Sequence, residues 1–166
     1  MSIGKVVPDI TNPFFPPVVR GAEDVLDRAG YSLLLSSSDN DLGKARRQTA
    51  AMLEGQADGL LLAMARRDDP LVADLRAGGT PPVLVNRTID RGGVSAVVPD
   101  DFHGAVEAVE HLYALGHRRV AFVGGPLPTS NGARRRASFD ETVQRLGLPE
   151  GPHRCRGMLQ TIATRA

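Results

Sequence analysis

The sequence predicts a three-layer α/β fold, a doubly wound parallel sheet with helices on both faces. Three observations carry this. Short, almost uniformly apolar runs recur along the first 125 residues, as in strands buried on both sides. Each is followed by a segment with apolar residues at helical spacing. Glycine, proline and small polar clusters punctuate the boundaries at the spacing of βαβ units, which the handedness of crossovers assembles into few topologies.

The first strand is Ile3 to Val7, broken at Pro8. Thr11 and Asn12 supply N-cap chemistry, and Pro13 stands at a favoured first helical position. The helix from about Pro13 to Ala29 places Val18, Ala22, Val25, Leu26 and Ala29 on one face, and Gly30 is its stop. Tyr31 to Leu35 is the second strand, followed by a polar run and a helix from about Leu42 to Gly55. Asp58 to Ala63 is the third strand, and Pro70 to Ala77 a short helix closed by Gly78-Gly79. Pro82 to Asn86 and Val94 to Val98 are extended. A helix from about Asp101 to Leu115 carries Ala105, Val106, Val109 and Leu112, and Arg119 to Val123 is the sixth strand.

After Pro126 the pattern changes. A loop to Asn131 leads into a helix over about 132–146 with Phe139, Val143 and Leu146 on one face. His153 to Gly157 reads as a strand start. An apolar helical stripe without following strands needs a partner, so the segment after 126 is expected to be mobile, docked elsewhere, or paired with another chain.

Composition narrows the function. The 166 residues suit one domain, or one and part of another. Net charge is +1 and the charges are dispersed, which gives no nucleic-acid stripe; Arg134-Arg135-Arg136 reads as a solvated helix face. Cys155 stands alone, so neither an intrachain disulfide nor a cysteine metal site is expected. His111 and His117 lack metal-ligand spacing and read as structural. No signal-peptide pattern or membrane-length apolar run is seen, and the expected location is cytoplasmic. Dinucleotide, phosphate-loop and nucleophile-elbow motifs are absent, so no enzyme and no cofactor is expected. A phosphoacceptor receiver would share the topology and Asp9 is suitably placed, but Ala63-Met64-Ala65 supplies no second acid.

The segments Val7-Pro8-Asp9…Asn12-Pro13-Phe14-Phe15, Ala57-Asp58-Gly59-Leu60, Val85-Asn86-Arg87, Asp100-Asp101…Gly104 and Leu115-Gly116-His117-Arg118-Arg119 through Gly125 resemble one family. It is the effector-binding core of the lactose/galactose-repressor (LacI/GalR) transcription regulators, over residues 3 to 147. The Leu-Gly-His-Arg segment favours the regulators over the related periplasmic sugar-binding proteins of transport and chemotaxis, which are the rival reading. The resemblance implies a bilobal fold with a sugar-like or nucleobase-like effector in the cleft. Residues 1–125 would be the first lobe and 126–166 the start of an incomplete second lobe. It also implies homodimers, and DNA binding through a head that this chain lacks.

Site residues follow from the same resemblance. Asn12, Phe14 and Phe15 would form the first-lobe wall, an amide for hydroxyls and rings for an apolar face. Asn86-Arg87 matches a pair usually written Asp-Arg. Asp101 stands where Asn is common, and is expected also to cap its helix. Arg135 would reach the effector from the second lobe.

Overall fold

The computed structural model describes residues 1–149 and 153–155. The chain divides into two compact units, Met1–Val98 and Pro99–Ala166.

In the first unit β1 (Ser2–Val7), β2 (Ser32–Ser37), β3 (Gly59–Leu62), β4 (Val83–Val85) and β5 (Ala96–Val97) form one sheet of order β2-β1-β3-β4-β5, with every pairing parallel. This is the doubly wound order expected, with its switch point between β1 and β3. Along β1 the side chains alternate, so Gly4 and Val6 face one side and Lys5 and Val7 the other. On the first side lie α2 (Leu42–Glu54) and α3 (Pro70–Ala77), whose Ala45, Leu71, Val72 and Leu75 close a core with Val6, Leu60, Leu62 and Leu84. Gly4 is required there, because a Cβ would stand 2.7 Å from Met52 Sδ and 2.9 Å from Leu60 Cδ2. On the other side lies α1 (Phe15–Arg28), to whose Val18 carbonyl the buried Lys5 Nζ donates at 3.1 Å.

The start of α1 differs from expectation. Residues 10–14 form turns, and the helix begins at Phe15 with Phe14 in the cap position and no side-chain cap. Prolines follow at 16 and 17, where the missing N–H groups would have had no helical partner.

In the second unit α4 (Asp101–Ala114) packs on α5 (Ser130–Arg145), and β6 (Phe122–Gly124) pairs in parallel with β7 (His153–Cys155). Val109, Val120, Phe139, Val143 and Leu148 form their own core, with the Phe122 and Phe139 ring centroids 5.0 Å apart. The stripe of Phe139 and Val143 is not left without cover: α4 supplies it. The sixth strand joins a separate sheet, and the chain's compact units part between Val98 and Pro99. Of the strand start expected at His153 to Gly157, the segment His153–Cys155 is formed, and Gly157 lies outside the described residues. α5 starts at Ser130 rather than 132 because Thr129 Oγ1 accepts from Gly132 N at 3.3 Å and so caps it.

Candidate functional site

The first expected site residues sit in the turn after β1, at the carboxyl end of the sheet beside the switch point, where open α/β sheets bind ligands. That turn is held by its own polar groups. Ser38 N donates to the Val7 carbonyl at 2.9 Å and Asn40 N to that of Pro8 at 2.9 Å, anchoring the turn to the end of β2. Asp9, buried, accepts from Thr11 N at 2.8 Å and Thr11 Oγ1 at 2.7 Å. Asn12 Oδ1 accepts from Phe14 N at 3.0 Å, so the amide expected to cap the helix closes a turn ahead of it.

Phe14 and Phe15 have different fates. Phe14 is 46% exposed, while Phe15 is 0% exposed and belongs to the interior. Their centroids are 5.1 Å apart at 88°, an edge-to-face contact in which the buried ring backs the exposed one. Of the two rings, Phe14 has surface to offer a ligand and Phe15 has none in this arrangement.

Asn86 and Arg87 follow β4. Asn86 is buried with φ +65°, a left-handed conformation that asparagine tolerates better than most residues, and its N–H donates to the Val97 carbonyl at 2.8 Å. Arg87 is 3% exposed, and its Nη1 donates to the Met64 carbonyl at 3.3 Å. This ties the end of β4 to the chain leaving β3. Burial, and then the nearby Arg66 cation, push the Arg87 guanidinium down to about 10. Asn12, Phe14, Asn86 and Arg87 therefore all lie on segments leaving the carboxyl ends of β1 and β4.

In the second unit, Asp101 and Arg135 meet. Asp101 Oδ1 accepts from Arg135 Nε at 2.6 Å, with the carboxylate buried and the guanidinium half-exposed. With Asp100, Gly104, Ala105 and Phe122 they line a cavity of about 320 Å³. The helix cap expected of Asp101 is made by Asp100 instead, whose Oδ1 accepts from His103 N at 3.1 Å. Asp101, one residue on, has its carboxylate in the first helical turn, where the dipole favours negative charge. The Asp100 carboxylate also holds His103 Nδ1 at 2.6 Å, which raises the histidine above its ordinary value and lowers the aspartate.

Sequence reasoning missed Lys5 and the buried Asp9–Thr11 pair. Lys5 lies inside an apolar run, and nothing near Asp9 in the sequence marks it as the residue that closes its own turn. Among the described residues no group of three or more His, Cys, Asp or Glu could hold a metal ion, and no helix is long and apolar enough to cross a membrane.

The chain is similar to known proteins over nearly its whole length. The family described as periplasmic binding proteins and sugar binding domain of LacI family matches residues 1–163. Catabolite control protein A of Priestia megaterium is 30% identical over 149 residues, covering 89% of this chain and 45% of that protein. The ribose operon repressor of Bacillus subtilis is 34% identical over 130 residues, 77% of this chain and 38% of that protein. The crystal structure of a putative ribose operon repressor from Burkholderia thailandensis superposes with a TM-score of 0.79 at 34% identity, covering 93% of this chain and 57% of that one. The chain thus spans about half the length of the curated relatives it matches.

Proposed function

The chain belongs to the family of periplasmic binding proteins and LacI sugar-binding domains, and from that we propose that it is the effector-sensing part of a bacterial transcription regulator. The effector is a sugar-like or nucleobase-like small molecule. The observation that carries this reading is the placement of an exposed ring and a turn-held amide beside the switch point of a fold shared with regulators. Phe14 offers a flat apolar face, and the Nδ2 group of Asn12 remains to donate to a hydroxyl or ring acceptor. Asn86 and Arg87 add an amide and a cation from the same unit. Within the second unit the Asp101–Arg135 pair sets an acceptor and a donor side by side. Most of Phe15's contribution is support for Phe14.

The names of the relatives favour a regulator over a transport protein, since they include a catabolite control protein and a ribose operon repressor. The working assembly is a cytoplasmic homodimer that touches DNA through a head outside this span, with no catalytic step. Dimerisation is supported by the open β2 edge of the sheet, where Leu34 and Leu35 remain exposed, as does Val25 on α1.

Thermal unfolding of the full-length protein against pentoses, hexoses and purines tests the reading. A ligand at 100 times its Kd raises stability by about 2.7 kcal/mol. Phe14→Ala and Asp101→Ala should each reduce that gain while leaving the fold intact. If no compound of these classes shifts the midpoint, or the shift survives both substitutions, the effector reading fails.

A further inference from the structure

The first unit contains a second recess, of about 510 Å³, between the chain leaving β3 with α3 and the loop that follows Arg87. None of the effector residues above lines it. Its size is within the usual range for small-molecule sites. We propose that this recess binds a small organic oxyanion, a phosphate or carboxylate carried on a sugar-sized body.

The walls are built before any ligand arrives. Arg67 and Asp90 face each other through two contacts, Nε to Oδ1 and Nη2 to Oδ2, both at 2.9 Å. Alongside them Asp90 N donates to the Arg67 carbonyl at 2.8 Å. The two loops are therefore joined by backbone and by a forked ion pair, the geometry that holds a guanidinium most firmly. This pair spends its charges on itself. Asp69 keeps its negative charge, but its carboxylate is turned to the backbone, accepting from Leu71 N at 3.0 Å and Arg66 N at 3.1 Å.

The lining is formally balanced, three arginines against three aspartates, but with Arg67 paired to Asp90 it is Arg76 and Arg91 that have guanidinium donors to offer a ligand. Arg76 Nη1 donates to the Gly92 carbonyl at 3.3 Å, which leaves most of its five donors open. Its guanidinium lies close to Gly93, whose φ of +105° is a backbone conformation that favours glycine. Arg91 makes no hydrogen bond or ion pair among the described residues. The apolar part of the lining is Pro70, Ala73 and Ile89, suited to the carbon face of a ligand. A planar fork recognises a carboxylate or phosphate through two parallel bonds, which a neutral hydroxyl cannot match.

The test uses ribose 5-phosphate, gluconate, ribose and inorganic phosphate against the full chain, followed by amide NMR and calorimetry. Expected is a shift of the amides of 67–76 and 89–93 with at least one of the two organic anions, weakening as salt is raised, and none there with ribose. The Arg76→Gln and Arg91→Gln variants, both at exposed positions, should each weaken that binding at least fivefold with an unchanged melting temperature. Stronger response to ribose 5-phosphate assigns phosphate, and to gluconate assigns carboxylate. Shifts confined to residues 12–15 and 86–87 would overturn the proposal while leaving the effector reading standing. Binding of inorganic phosphate alone, equal affinity for ribose, no binding by any of the four, or affinity indifferent to both variants would also overturn it.

Discussion

Replacing Lys5 by methionine is expected to stabilise the chain. Lys5 stands in the middle of β1 at 1% exposure, and its ammonium donates one bond, to the Val18 carbonyl at 3.1 Å. Removing an ammonium from water costs several kcal/mol even after relaxation, and a hydrogen bond involving a charged group returns about 1.5–3 kcal/mol. Methionine keeps an unbranched stem of similar length and removes the charge, so Lys5→Met should gain about 1–3 kcal/mol at neutral pH. Desolvation holds the Lys5 amine below its ordinary value in the folded chain. A lowered folded value means that the folded state is penalised below it, and regains stability as pH rises toward the unfolded value of about 10.4. The advantage of Lys5→Met should therefore be largest near neutrality and shrink toward pH ~10.5. Urea unfolding across that range measures it, with Lys5→Ala as a control that opens a cavity. A variant less stable than the parent at neutral pH, or an advantage that does not shrink with rising pH, would refute the reasoning.

The other predictions are local. Asn86→Ala should cost about 1 kcal/mol, because alanine lacks the polar side chain that lets asparagine tolerate a φ of +65°, and Asn86→Gly should recover most of that loss in the same urea assay. Phe139→Ala should destabilise the second unit by about 3–5 kcal/mol, since its ring is buried between α4 and β6; hydrogen exchange over 101–148 would show the loss. Thr129→Ala removes the cap of α5 and should cost about 1 kcal/mol by chemical unfolding. His103, raised by Asp100, lends stability that is fully present below the ordinary histidine value and is lost as pH rises through its folded value. His103→Gln should remove that slope, and an NMR titration of the ring should place its midpoint above the ordinary value.

Much of the first unit was legible in the sequence because its signals are local. Apolar runs of strand length and stripes at helical spacing located the elements to within a few residues, and βαβ alternation gave the parallel doubly wound sheet. What covers a stripe is not local. Ala105, Val109 and Leu112 mark one face of α4 for burial, but nothing in their spacing names α5 as the cover. Phe14 and Phe15, adjacent at a helix start, point in different directions, and only packing decides which goes inside. Asp100 and Asp101 are equally able to cap; backbone geometry gave the cap to the first and freed the second for Arg135. Lys5 carried no sequence signal because four apolar or small neighbours made the run look uniformly buried. The recess at Arg76 depends on two loops meeting, which no single stretch of sequence displays.

The turn after β1 has a consequence for how tightly anything could be held there. Pro8, Pro13, Pro16 and Pro17 each fix one backbone torsion, and Asp9 and Asn12 close the intervening turns with their side chains. Freezing a flexible residue costs about 1–2 kcal/mol of backbone entropy, and here that cost is met during folding rather than at the moment of association. Preorganisation of this kind lets contact energy appear almost undiminished as affinity. It also means that Pro13→Ala, which need remove no atom a ligand touches, should weaken binding by loosening the presentation of Phe14.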